Sequence, residues 1–225
     1  LMAKPVKCRH GTCIFCPGGP GSPFGNVPQS YTGKEPSTRR SIRNLYDPYL
    51  TTMNRIEQYV VSGHVPDKME VIIQGGTFPS YPKKYQEEFI MDIFRAMNDF
   101  SSMFFVKNAI DFIRFKKFFE LPGDINDNER LKRLHAKLLH LKESRKTDLE
   151  REHLRNEKTK IRNVGLTIET KPDWGLLEHG NEMLKLGCTR VELGIQTIYD
   201  HVLELTNRGH TIEDSIKSIQ TLKDL

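Results

Sequence analysis

Residues 8–21 read Cys8-Arg9-His10-Gly11-Thr12-Cys13-Ile14-Phe15-Cys16-Pro17-Gly18-Gly19-Pro20-Gly21. Three thiols in so short a loop can all reach one inorganic centre, because glycine and proline permit the tight turns that fold side chains inward. Three thiolates leave a structural zinc tetrahedron incomplete, whereas a four-iron cluster can keep one iron open for a non-protein ligand. The count favours an iron-sulfur cluster. Zinc would need His10 or the distant Cys188 as fourth ligand, and His10 stands only two residues after Cys8, a cramped spacing for joint chelation. A disulfide is the third option, disfavoured in a cytosolic-looking chain with one cysteine left over. All three readings stay open at this point.

Outward from that loop the chain reads as α/β. Residues 1–7 suggest the stub of a strand, and residues 20–35 a turn-rich loop. Pro36 is placed to open a helix, and Asp47-Pro48 to break it before a second piece runs to Gly63. Met69 to Ile73 reads as a buried parallel strand. From Lys83 to Phe100 the residues Tyr85, Phe89, Ile90, Ile93, Phe94, Met97 and Phe100 share one helical face, a core stripe. Met103 to Phe119 is expected to be helical, and a long charged helical region follows, packing through Leu131, Leu134, Leu138, Leu139 and Leu141.

A βα rhythm returns with a strand at 163–169, a helix from Trp174 to Leu186 and a strand from Arg190 to Gln196. In these strands Val164, Leu166 and Ile168 oppose Gly165, Thr167 and Glu169, and Val191, Leu193 and Ile195 oppose Glu192, Gly194 and Gln196. A parallel barrel would turn the apolar faces outward to helices and leave Glu169, Glu192 and Gln196 facing the lumen. Carboxylates there are costly unless something polar meets them. A short helix near Tyr199, a turn at Gly209 and an amphipathic helix from Thr211 to Leu225 complete the pattern. Cys188 is expected to pack as a small apolar residue, and Trp174 to pack at a helix start.

The chain has 225 residues and a formal net charge of +5, enough length for one α/β domain with a core. No apolar run approaches the length of a membrane span and no signal-peptide pattern is seen, so a cytoplasmic protein without membrane contact is expected. The first residue is leucine, as in the interior of a longer protein. Basic residues cluster at Arg39, Arg40 and Arg43, and again between Leu131 and Arg162. Such clusters are either helices laced with ion pairs or sites for an RNA backbone.

Several blocks together resemble the radical S-adenosylmethionine (SAM) superfamily, and within it the catalytic subunit of the elongator complex and its stand-alone archaeal relatives. They are Cys13-Ile14-Phe15-Cys16-Pro17-Gly18-Gly19-Pro20, Tyr46-Asp47-Pro48-Tyr49, Gln74-Gly75-Gly76-Thr77-Phe78, residues 166–174, residues 191–199 and Asn207-Arg208-Gly209-His210-Thr211. Two departures from the superfamily's common pattern point to that branch. Four residues, not three, separate Cys8 from Cys13, and Thr77 stands where a glutamate usually follows the glycine pair.

The resemblance implies a partial parallel (β/α) barrel in which Cys8, Cys13 and Cys16 hold a [4Fe-4S] cluster whose fourth iron is chelated by SAM. It places Gly75, Gly76 and Thr77 on the rim where the methionine moiety approaches, although a glycine pair alone reads as a turn. Glu169 is the candidate for a polar contact to the nucleoside, with Glu192 and Gln196 behind it; a structural network with Lys171 or Arg190 is the competing role. The implied reaction is formation of a carboxymethyl group at C5 of wobble uridine 34 in tRNA, with acetyl-CoA as co-substrate. By resemblance, a 5′-deoxyadenosyl radical takes hydrogen from the acetyl methyl and the acetyl radical adds to C5. On this view residues 1–225 are an incomplete radical SAM domain with a helical insertion at about 101–162, lacking the family's acetyltransferase domain and not active alone in the full reaction. The expected partners are tRNA and a second copy or elongator-type subunits. Arg39, Arg40, Arg43, Lys107, Arg114, Lys116 and Lys117 are the tRNA candidates. Competing readings are a radical SAM enzyme with another substrate, a zinc-bearing RNA-binding module and, at family level, a protein acetyltransferase.

Overall fold

In the computed structural model, which describes residues 1–225, regular structure begins at Pro36, whose missing N–H suits the first turn of α1 (Pro36–Arg43). Asp47 then caps α2 (Pro48–Val61), accepting from the Leu50 amide at 2.9 Å. The strand β1 (Lys68–Ile73) leads through Gly75-Gly76 into α3 (Lys83–Phe104), whose predicted apolar stripe is buried from Phe89 to Phe100. The helix runs four residues past the expected end.

Met103 to Phe119 is not one helix. Lys107 adopts a left-handed φ of 56° and turns the chain into a hairpin of β2 (Phe105–Val106) and β3 (Ala109–Ile110), with Phe105 opposite Ile110. Beyond the end of α3 at Phe104, only α4 (Phe112–Phe118) is helical there, capped by Asp111. The charged region is likewise two helices, α5 (Asn128–Glu143) and α6 (Leu149–Asn156), because Asp148 starts a new helix by accepting from the Arg151 amide.

The strand β4 (Arg162–Thr170) is followed by a 3-10 turn at Pro172–Trp174 and then α7 (Leu177–Lys185). The expected single helix is interrupted at Gly175, which packs so closely on Ser218 and Leu193 that a Cβ would clash with the Ser218 hydroxyl. Next come β5 (Arg190–Leu193), α8 (Asp200–Leu205) and α9 (Ile212–Asp224), the last opened by a reciprocal capping box between Thr211 and Asp214. β5 ends three residues earlier than expected because the chain curls: the Ile195 amide donates to Leu193 O and the Thr197 amide to Ile195 O, leaving Gln196 at a φ of 73°.

The sheet order is β1-β4-β5, with β4 and β5 parallel and Glu169 opposite Glu192. The starts of β1 and β4 are joined by a bond from the Arg162 amide to Asp67 O, and their ends by Gln74 and Glu169, so they run the same way. Met2 bridges Gln74 in parallel and extends the sheet by a stub. The chain is thus α/β with a parallel sheet, as expected; the strands do not close into a barrel.

Two units are distinguishable. One comprises Leu1–Tyr46, Glu70–Glu87 and Gly165–Leu225 and holds the cysteine loop and most of the sheet. The other comprises Asp47–Met69 and Glu88–Val164, and the helical segment expected at about 101–162 lies within it. Its core is aromatic: Phe100, Phe104, Phe115 and Phe119 are buried with ring centroids 4.7–6.1 Å apart. Around that core the basic run between Leu131 and Arg162 is largely paired. Arg145 and Arg155 meet Glu152 and Asp99, Lys142 sits between Asp47 and Asp92, and Arg133 and Lys137 share Glu120. For this run the ion-pair reading describes the structure. No helix is long and apolar enough to cross a membrane.

Candidate functional site

The cysteine loop is built from two tight turns, the Gly11 amide donating to Cys8 O and the Cys16 amide to Cys13 O. Gln29, 3% exposed, ties them together: its Oε1 accepts from the Cys8 amide at 2.6 Å and its Nε2 donates to Thr12 Oγ1 at 2.9 Å. The far end of the chain completes the frame. The Ile14 amide donates to Thr206 O at 3.1 Å and Asn207 Nδ2 donates to Thr12 O at 2.9 Å. All four cysteines are free thiols, so no disulfide forms. Cys188 is buried and donates to Arg190 O at 3.1 Å, as its packing role requires.

Cys8, Cys13 and Cys16 open onto a cleft of about 480 Å³. Gly76, Thr77, Glu169, Glu192 and Gln196 line the same cleft, so five of the six predicted cofactor residues meet the three thiols there. Strand alternation delivers Glu169 and its register partner Glu192 to one side, and the curl after Leu193 delivers Gln196. Gly75 does not line the cleft. A Cβ on it would lie 2.9 Å from Met2 Sδ and 3.1 Å from the Ala3 amide, so its glycine serves the close pairing with the N-terminal stub. Beside Gly76, by contrast, nothing lies within 4 Å of an added Cβ.

Both signs of charge line the cleft. Burial holds Glu169 above its usual pKa although Gln74 Nε2 donates to it at 3.0 Å. Burial and the nearby Glu169 carboxylate push Tyr31 up to about 12, so it faces the cleft as a neutral phenol. The cleft also carries two cations, Lys171 (4% exposed, 3.3 Å from Asp173) and Arg208 (9% exposed). Burial, then Lys171 and Arg208, push His10 down to about 4, which leaves a neutral imidazole 3.3 Å from Cys13 Sγ. Burial, then Cys16, raise the Cys8 thiol. The anticipated network is partly formed: Arg190 meets Glu192 at 3.3 Å, but Lys171 turns to Asp173 and not to Glu169.

Gln29, Tyr31, Lys171 and Arg208 were not singled out as site residues by the spacing arguments, although Lys171 and Arg208 fall inside motif blocks. The tRNA candidates lie elsewhere. Arg39, Arg40 and Arg43 are on α1, and exposed Lys107, Arg114, Lys116 and Lys117 are on the hairpin turn and α4; none lines the cleft. Trp174 is half-buried in the 3-10 turn, its ring 4.8 Å from that of His179 and the Arg9 guanidinium 5.2 Å from its centroid.

No three His, Cys, Asp or Glu side chains converge on a point suited to a single metal ion. The three thiols border the cleft.

Similarity to known proteins agrees with this arrangement. A tRNA uridine(34) acetyltransferase of Methanocaldococcus jannaschii is 45% identical over 224 residues, which is all of this chain and 33% of that protein. Elongator complex protein 3 of Drosophila melanogaster is 36% identical over 229 residues and is covered to 34%. The solved structure of the archaeal Methanocaldococcus infernus Elp3 with an N-terminal deletion superposes with a TM-score of 0.60 at 38% identity, over 82% of this chain and 33% of that one. The chain therefore spans about a third of the length of these relatives. The radical SAM superfamily profile matches residues 4–225, a family defined by an iron-sulfur cluster and SAM, and the chain belongs to the radical SAM superfamily.

Proposed function

We propose that Cys8, Cys13 and Cys16 hold a [4Fe-4S] cluster in the cleft, and that the chain contributes this centre to C5 modification of tRNA wobble uridine 34. The observation that carries the reading is the convergence of three free thiols, a half-buried carboxylate and two buried cations on one cleft. The donor set fits: thiolates suit iron-sulfur ligation, and a buried guanidinium with an unpartnered Nε suits an anionic occupant. When bound, the cluster supplies SAM with a low-potential electron.

This chain's residues bind and orient. Gly76 leaves the rim open to the methionine end of SAM, while Thr77, Glu169, Glu192 and Gln196 offer polar contacts to the remainder; Gly75 supports Gly76 from behind. Glu169, Lys171 and Arg208, which line the same cleft, offer charges of both signs to a zwitterionic ligand. Acetyl-CoA is the proposed co-substrate, bound outside residues 1–225. Arg39, Arg40 and Arg43, with Lys107, Arg114, Lys116 and Lys117, are proposed to bind the tRNA backbone, since lysine and arginine release counterions from phosphates. The relatives' names support this substrate and elongator-type subunits as partners; a second copy as partner and a cytoplasmic location are proposed with them.

The test is anaerobic reconstitution with iron and sulfide, then EPR of the dithionite-reduced protein with and without SAM. A [4Fe-4S]⁺ signal that shifts on adding SAM is expected. Stoichiometric zinc with no such signal overturns the proposal.

A further inference from the structure

Arg208 reaches the cysteine loop from 195 residues away in sequence. Asn207 is responsible for bringing it there. At a left-handed φ of 53°, Asn207 ends α8 in a Schellman motif, its amide donating to Glu204 O at 2.9 Å and the Arg208 amide to Leu203 O at 2.8 Å. The next side chain is thereby turned back into the cleft.

There Arg208 is 9% exposed. Nη2 donates to Gly194 O at 2.8 Å, Nη1 donates to Cys13 Sγ at 3.7 Å, and Nε is buried with no partner. No carboxylate pairs with it, whereas its neighbour Lys171 has Asp173. A buried cation without a counter-charge is strongly unfavourable, and it is retained where an anion occupies the facing space. The group fixed at that space is a cysteine sulfur.

We propose that Arg208 is the positioning residue that sets the reduction potential of the centre, by donating to Cys13 Sγ and holding a buried positive charge beside it. This rests on the cluster reading above. A donor to a ligating sulfur and a fixed cation both favour the redox state with more negative charge, so Arg208 raises the potential. The one-electron reduction draws its electron from the external reductant, and Arg208 neither gains nor loses a proton. Thr206 and Asn207 have a separable role: their bonds to Ile14 and Thr12 hold the loop's backbone and leave the sulfur's charge unaltered.

The experiment is an EPR-monitored redox titration of the reconstituted full chain without SAM, for wild type, Arg208→Met, Arg208→Lys and Asn207→Gly. At a fixed poise Arg208→Met should raise the oxidised-to-reduced ratio at least tenfold, a fall of about 59 mV for one electron. Arg208→Lys, which keeps the charge and loses the fork, should fall between. Asn207→Gly keeps the left-handed turn and removes the bond to Thr12. It should lose iron to a chelator several-fold faster at an unchanged potential. Wild-type potential in Arg208→Met overturns the proposal, and if that variant does not load, wild-type loading and potential in Arg208→Lys overturn it. Absence of any cluster signal in wild type rejects the underlying reading instead, and the proposal with it.

Discussion

Replacing Gly209 with alanine should loosen the cysteine loop without touching a thiol. Gly209 has a φ of 72°, and an added Cβ would lie 2.6 Å from His10 Cβ and 3.0 Å from His10 Cγ. These atoms sit at the root of the side chain, so relief requires the loop backbone to retreat by roughly 0.8 Å towards ordinary contact. The left-handed conformation costs alanine about 1–2 kcal/mol and the overpacking about 1–3 kcal/mol. If about 2 kcal/mol of this falls on the loop, retention of the cluster drops roughly 30-fold. The assay is iron release from reconstituted protein to a chelator, followed as loss of the cluster's visible absorption. Gly21→Ala is the control: it has a similar φ of 77° but nothing within 4 Å of the new Cβ. Wild-type release from Gly209→Ala, or equal acceleration in both variants, would refute the claim that residues 206–209 clamp the loop.

Glu169→Gln should weaken SAM binding about tenfold or more, as expected for losing a charged hydrogen-bonding partner. The same change should raise the apoprotein's melting temperature at neutral pH. Burial lifts the Glu169 pKa above its unfolded value, so the penalty on folding sets in as pH rises through the unfolded value and is complete above the folded one, and the gain should vanish in acid. A variant that binds SAM like wild type would remove Glu169 from the site. Glu152→Ala breaks a fully buried carboxylate network with Asn98, Thr147 and Arg145, at a cost of about 3–5 kcal/mol, or roughly 6–20 °C by calorimetry. Burial raises the Glu152 pKa but these bonds lower it further, so the network's stabilisation is present above the unfolded value near ~4.3 and is lost as pH falls through the folded one. A pH-independent difference between variant and wild type would contradict this. Reversing Arg39, Arg40 and Arg43 to glutamate should weaken tRNA binding and flatten its salt slope by about 2–3. Unchanged affinity at two salt concentrations would reject α1 as an RNA contact.

Much of the cleft was legible because its residues are set by local rules. Three thiols in nine residues must share a neighbourhood, and strand alternation sends Glu169 and Glu192 to the face opposite Leu166 and Ile168. Period-two reasoning stops at Leu193, however. It placed Gln196 on the right side, but as part of a strand, and the curl that delivers it depends on backbone bonds that residue types do not announce. Lys171 and Arg208 escaped for another reason. A cation in a loop is ordinarily solvated, and nothing local distinguishes one buried by a segment distant in sequence, as Arg208 is beside Cys13. Lys107 illustrates the converse failure: an apolar and basic run fits a helix by composition, yet a single left-handed residue makes it a hairpin.

The bond between Arg208 and Cys13 also has a consequence for biosynthesis. Translation at roughly 5–20 residues per second separates the two residues by roughly 10–40 s. Throughout that interval the three thiols have emerged without Thr206, Asn207 or Arg208 to order them. Cluster insertion into a finished site therefore has to wait until residue 208 has been made, and any nascent chain stalled before residue 206 presents an unclamped cysteine triplet to cellular oxidants and to competing metals.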